Sequence, residues 1–268
     1  MRTLRLATSL ALLLSSCRGE APVVPAAGAT PGDASSVEAE ARDTEHAHDS
    51  AHAQDPASVA TESAPPQDGT YMGREIASLM RPSVGRWLVR ESREEEEGIE
   101  LLLGALALRE GETVGEVGAG NGYMTVRLAE AVGTGGRVLA VDIQAVLLEE
   151  LARRVAAAGL QNVEPILGAV DDPKLPAGSC DLVLVLDAYH EFSQPAAMLE
   201  AMRTALAPEG RLTIVEFRAE DPAVHPTAPK HKIAKDQLRR EIEASGFTLV
   251  ESYDELPQQH CLTFRRAD

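Results

Sequence analysis

From residue 111 onward the apolar positions alternate between two rhythms. Thr113–Val117 is a short strand-type run ending in a glycine turn, and Tyr123–Val132 carries helical spacing. Arg137–Asp142 (RVLAVD) reads as a buried strand. Leu147, Leu151 and Val155 then recur on one helix face, with Gly159 as a stop signal. Asn162–Leu167 reads as a strand. Asp181–Leu186 (DLVLVL) is continuously apolar, as a strand covered on both sheet faces should be. Pro195–Leu206 is a helix stopped by Pro208-Glu209-Gly210, Arg211–Phe217 a strand, and Ile233–Ser245 a helix ending at Gly246. Phe247–Tyr253 and Cys261–Phe264 form a final strand pair. This alternation predicts an α/β domain: a doubly wound, seven-stranded, mostly parallel sheet with helices on both faces. Ligands of such sheets sit at the carboxyl ends of the strands, so functional residues should follow Val117, Val141, Leu167, Leu186 and Phe217.

Ahead of this pattern, Arg86, Trp87 and Arg90 lie at helical spacings, and Ile99, Leu102, Leu103 and Leu106 form a helix face. Residues 71–110 therefore read as two N-terminal cover helices over the 111–268 domain, with Glu94–Glu97 as a solvated helix turn.

Composition changes the picture at the N-terminus. All aromatic side chains, four Tyr, four Phe and one Trp, lie after residue 70, so the large core must lie there too. Residues 18–70 hold Ala, Pro, Ser, Asp, Glu and His with almost no large aliphatic, and read as a disordered linker. His46, His48 and His52 within it could bind a transition metal weakly, but they lack the fixed spacing of a structural zinc site. The net charge of −17 argues against a nucleic-acid partner. No stretch of the domain reads as a basic membrane-surface helix.

Residues 1–17 (MRTLRLATSLALLLSSC) combine Arg2 and Arg5 with an apolar run too short to span a bilayer. The ending Leu14-Ser15-Ser16-Cys17 resembles the bacterial lipobox. That resemblance implies a lipoprotein signal peptide, cleavage before Cys17, acylation of its thiol and a lipid-anchored place in the cell envelope. Membrane contact would run through Cys17 alone. An ordinary signal peptide, or a start codon set upstream of a cytoplasmic enzyme, stays open. The other two cysteines, Cys180 and Cys261, each begin an apolar run and read as buried free thiols.

The turn after the first core strand reads Glu116-Val-Gly118-Ala-Gly120-Asn-Gly122-Tyr123, and Asp142 ends the next strand. Glycines at alternate positions let backbone turn tightly and approach a ligand closely. A carboxylate at Asp142 can accept both hydroxyls of a ribose. A dinucleotide loop would need G-x-G-x-x-G. From Gly118 its last glycine falls on Tyr123, and from Gly120 on Thr125. A nucleotide-dependent oxidoreductase is disfavoured accordingly.

The E-x-G-x-G-x-G pattern instead resembles the first motif of class I S-adenosylmethionine-dependent methyltransferases. The resemblance implies a Rossmann-like methyltransferase fold with S-adenosyl-L-methionine as cofactor. Gly118, Gly120 and Gly122 would face its methionine part, Glu116 would act near the ammonium, and Asp142 would hold the ribose. The family often has an acid after the third strand that contacts the adenine. Asp171 is favoured for that place, though Asp172 beside it is not separated from it by sequence.

The fourth strand runs into Asp187-Ala-Tyr189-His190-Glu191. The family places this position beside the transferable methyl group. His190 has the intrinsic pKa of a base for an acceptor hydroxyl or amine. Glu191 could orient it or act alone, and Asp187 could pair with the cofactor or with His190. The D-x-Y-H-E run resembles a subgroup of methyltransferases with a Tyr-His-Glu triplet here, and Tyr189 enters the candidate catalytic set with it. Tyr71-Met-Gly73-Arg74, the Glu94–Glu97 region and His231-Lys232 belong to the same resemblance, which covers 71–268. No Asn/Asp-Pro-Pro-Tyr run follows the strand and no cysteine pair is placed as in cytosine-C5 enzymes, which disfavours nucleic-acid bases and amides as acceptors.

His225, His231 and Lys232 fall on the ligand side after the fifth strand. With His190 and Glu191 they could make a metal site, but they lack the acidic and amide oxygens of cation-dependent O-methyltransferases, so no metal is expected. Lys232 could position an anionic acceptor or simply face solvent. The expected activity is methyl transfer to oxygen or nitrogen of a small-molecule or envelope acceptor. The alternative is a lipid-anchored binding module that keeps the fold without turnover, favoured by the cytosolic origin of S-adenosylmethionine.

Overall fold

The computed structural model describes residues 69–222, 224 and 228–267. The expectations for 1–17 with Cys17, for the histidines of the 18–70 linker and for His225 lie outside the described residues. The described chain opens with a small hairpin, β1 (Thr70–Tyr71) and β2 (Arg74–Glu75), followed by a 3-10 segment, Pro82–Val89. Helices α1 (Arg93–Glu97) and α2 (Ile99–Leu106) complete the cover. The sheet is then built by β3 (Thr113–Val117), β4 (Arg137–Asp142), β5 (Val163–Leu167), β6 (Cys180–Leu186), β7 (Leu206–Phe217), β8 (Phe247–Tyr253) and β9 (Gln259–Arg266). Helices α3 (Tyr123–Val132), α4 (Ala145–Ala157), α5 (Pro195–Ala205) and α6 (Lys235–Glu243) connect them.

The seven strands lie in the order β5-β4-β3-β6-β7-β9-β8, with antiparallel pairing only on either side of β9. This is the doubly wound, mostly parallel Rossmann-like methyltransferase fold. The apolar runs explain it: Leu182, Val183, Leu184 and Val185 are all fully buried, because helices cover both faces. Ile99, Leu128 and Leu151 pack on one face, and Leu199, Met202 and Leu238 on the other. Chain order reverses at β3, so a crevice opens between the carboxyl ends of β3 and β6.

Three local expectations are corrected. The first cover helix is a 3-10 segment: Gly85 weakens an α-helix there, and Asn121 Nδ2 donates to the Gly85 carbonyl at 3.1 Å. The Glu94–Glu97 turn is solvated only in part. Glu97 is 1% exposed and accepts hydrogen bonds from Arg90 Nη2 at 2.5 Å and Arg93 Nε at 2.8 Å. Finally, Pro208-Glu209-Gly210 bulges within β7 instead of forming a separate loop. Leu206 already pairs with Cys180 and Arg211 with Leu182, and Gly210 lies so close to the Cys180 carbonyl that a Cβ would meet its oxygen at 2.6 Å. Cys180 and Cys261 are free and buried, as their apolar settings imply.

Candidate active site

A cleft of about 530 Å³ lies at the carboxyl ends of the central strands, a size suited to a small ligand. Its near end is the glycine turn. Gly118 and Ala119 both donate backbone N–H groups to the Val141 carbonyl at 2.9 Å, tying the turn to β4. Gly118 has φ of 84°, and a Cβ there would stand 2.5 Å from the Ala188 side chain, so only glycine fits. Asp142 fixes the other side. Its Oδ2 accepts the Gly120 N–H and its Oδ1 the Gln144 N–H, each at 2.9 Å, while both oxygens keep further acceptor capacity. Burial raises the Asp142 carboxyl above its usual range, against those amide bonds.

Two polar atoms at this end invite a ligand. Asn121, inside the turn, uses Nδ2 on Gly85, but its buried Oδ1 has no hydrogen-bond partner among the described residues. Glu116 is 3% exposed and accepts a hydrogen bond from Thr125 Oγ1 at 2.5 Å. Burial pushes its carboxyl up to about 8.

The cleft floor carries Arg93, a residue the sequence pattern did not single out. It is 4% exposed, stacks over Tyr123 at 4.5 Å and reaches within 4.0 Å of Asp187 Oδ2. Asp187 follows β6 with φ of 50°, a left-handed conformation costly for a side chain other than glycine. Gln259 Nε2 donates to its oxygens at 3.1 and 3.3 Å. Burial, then Glu97 and Glu216, raises the Asp187 carboxyl well above its usual range.

The far end is built by the 3-10 turn Tyr189–Glu191. Glu216, fully buried on β7, accepts the His190 backbone N–H at 3.1 Å and pairs with His190 Nδ1 at 2.7 Å. Burial disfavours the charged imidazole, but Glu216 outweighs it and holds His190 above its ordinary value. The other ring nitrogen, Nε2, lies 3.7 Å from Glu191 Oε1, while Glu191 Oε2 accepts the Met80 N–H at 3.0 Å. His231 meets the His190 ring edge-on at 5.0 Å. Trp87 and Phe217, with ring centroids 6.5 Å apart, add aromatic lining.

Glu116, Gly118, Gly120, Asp142, Asp187, His190 and Glu191 thus meet on one cleft. Gly122 stands just behind it as the N-cap of α3. Tyr189 is the exception within the triplet. It is fully buried on the opposite side, and its hydroxyl donates to Glu241 at 2.9 Å, so it supports the turn and does not reach a ligand. Asp171 is exposed and outside the lining, which reaches only Ala169 and Val170 on that loop. Asp172 pairs with Lys174 at 2.7 Å. Lys232 also stands outside the lining and donates to the Val224 carbonyl at 2.8 Å. Arg93, Asn121, Glu216 and Gln259 were missed. Only Asn121 carried a signal, by its place inside the glycine turn.

Known proteins share the domain. A family model described as a methyltransferase domain matches residues 114–210. The chain is 34% identical over 111 residues to nocamycin O-methyltransferase of Saccharothrix syringae, covering 41% of this chain and 40% of that protein. It is 39% identical over 116 residues to protein-L-isoaspartate O-methyltransferase of Methylorubrum populi, covering 43% of this chain and 50% of that one. The chain spans half the length or less of these curated relatives. The crystal structure of a SAM-dependent methyltransferase from Aquifex aeolicus superposes with a TM-score of 0.66 at 25% identity, covering 69% of this chain and 98% of that one.

Proposed function

Because the chain carries a class I S-adenosylmethionine-dependent methyltransferase domain, we propose that it transfers the methyl group to an oxygen or nitrogen of a small-molecule or envelope acceptor. The observation that carries this reading is the two-ended cleft. A glycine turn, Asp142 and Asn121, whose Oδ1 has no partner among the described residues, converge at one end, and His190 with Glu191 at the other.

The cofactor, when bound, supplies a methyl already activated on a sulfonium. An acceptor lone pair would form the new bond to that carbon, with the old carbon–sulfur pair left on sulfur. The residues then have two tasks. Asp142 would accept the ribose hydroxyls, with Asn121 Oδ1 as a further acceptor for the nucleoside. Glu116 and Asp187 would face the ammonium and Arg93 the carboxylate of the methionine part. The second task is alignment and loss of the acceptor's proton, for which His190 and Glu191 stand at the far end. Trp87 and Phe217 favour an acceptor with an apolar body.

Calorimetry of the full chain with S-adenosylhomocysteine, S-adenosylmethionine and NAD tests the cofactor half. Binding of the first two and none of the third is expected, and the reverse sinks the proposal. A methyl-release screen over acceptors tests turnover, and binding without turnover against any acceptor class would favour the non-catalytic module. Anchoring through Cys17 rests on the lipobox alone. The mass of the mature N-terminus tests it, with a diacylglycerol-modified Cys17 expected.

A further inference from the structure

We propose that His190, Glu191 and His231 bind one divalent cation of the zinc type at the acceptor end of the cleft. What that cation does there rests on the methyl-transfer reading, whereas its binding does not.

One ligand atom from each of the three side chains lies within 4.8 Å of the other two. A four-coordinate zinc with bonds of about 2.0–2.1 Å wants its ligand atoms roughly 3.4 Å apart. Modest side-chain rotation closes that gap. The turn already supplies His190 Nε2 and Glu191 Oε1 at 3.7 Å. His231 comes from a separate 3-10 turn, Pro229–His231, and its ring faces His190 at 80°. The two segments follow neighbouring strands at the same end of the sheet.

The surroundings are those of a ligand set. Metal-bound histidines commonly give their second ring nitrogen to a carboxylate, which fixes the ring and its tautomer. Glu216 holds His190 Nδ1 in that way at 2.7 Å, from a fully buried position. Glu191 is held likewise, with Oε2 on the Met80 amide and Oε1 left toward the cleft. Two imidazoles and one carboxylate match three-ligand zinc sites that keep an open fourth position. A nitrogen-rich set also disfavours magnesium and calcium. This differs from the expectation drawn from sequence, which compared the residues with oxygen-donor cation sites. In the methyl-transfer reading, the acceptor hydroxyl would take the open position and lose its proton to solvent. The oxygen would keep the O–H electron pair and direct it to the methyl carbon, so with the cation bound the metal, and not His190 or Glu191 as a base, would perform the activation at this end.

The test uses the full chain with His46→Ala, His48→Ala and His52→Ala, which removes the other histidine cluster, stripped with chelator and titrated with Co²⁺. One equivalent with visible ligand-field absorption, displaced by Zn²⁺, is expected. His231→Ala and Glu191→Gln should each weaken Co²⁺ binding at least tenfold. Glu216→Gln should weaken it by about 10- to 100-fold while keeping the spectrum. No absorption in the parent chain, or an unchanged titration in both His231→Ala and Glu191→Gln, overturns the site. S-adenosylhomocysteine calorimetry on the same metal-free samples reports folding and the cofactor end independently. Cobalt binding without nucleoside binding would keep the cation site and remove the methyl-transfer reading.

Discussion

Asp142 performs two jobs with one carboxylate. It pins the Gly120 amide, and it faces the space where a ribose would lie. Asp142→Asn replaces one acceptor oxygen by a donor, leaving either the turn or the ligand short of a partner. A rise of at least tenfold in the dissociation constant for S-adenosylhomocysteine is expected by calorimetry, about 1.4 kcal/mol. An unchanged constant would remove Asp142 from the cofactor site. At this scale the sequence was legible where the chemistry is local. The glycine turn, Asp142 and the Asp187–Glu191 run declare themselves by spacing and by position at strand ends. Arg93, Glu216 and Gln259 do not, because each gains its role from partners far along the chain. Gln259 reaches Asp187 across 72 residues, and Glu216 reaches His190 across 26.

Among the elements, β3, β4, β5, β6 and β8 were readable nearly to the residue, β7 and β9 run beyond their apolar stretches, and of the cover only the apolar face of α2 was legible. Strands such as β6 are buried on both faces, so an unbroken apolar run suffices to mark them. The part of the cover ahead of α2 is short, and buried ion pairs hold it where α2 has an apolar face. The side chains of Arg93 and Glu97 are 5% and 0% exposed at their 2.8 Å contact. Glu97→Ala leaves Arg93 without that partner, and breaking a buried pair in this way costs about 3 kcal/mol. For a domain of this size the thermal midpoint should fall by roughly 6–12 °C. A fall below about 2 °C would show that the pair contributes little to stability. Far-UV circular dichroism at rising temperature gives the measurement.

For the molecule as a whole, ligand and proton should both move the unfolding equilibrium. S-adenosylhomocysteine at 100 times its dissociation constant should stabilise the fold by about 2.7 kcal/mol. That corresponds to a rise in midpoint of roughly 5–10 °C. Glu116 sets a pH dependence of definite sign. Its carboxyl sits at about 8 in the folded chain against an ordinary 4.5, because burial disfavours the charge. Between those values the folded state holds a proton that the unfolded state has released. Its contribution is therefore fully present below about pH 4.5 and is lost as pH rises toward 8. Denaturant midpoints of Glu116→Gln should fall less steeply over that window than those of the parent chain. Parallel profiles would refute the assignment.

The two oxygens of Glu191 face opposite ways, one toward the Met80 amide and one toward His190. Whatever pulls on the second oxygen tugs the first. A tenant at the far end of the cleft should therefore alter deuterium uptake at the Met80 peptide, making that single amide in the cavity wall a reporter of occupancy.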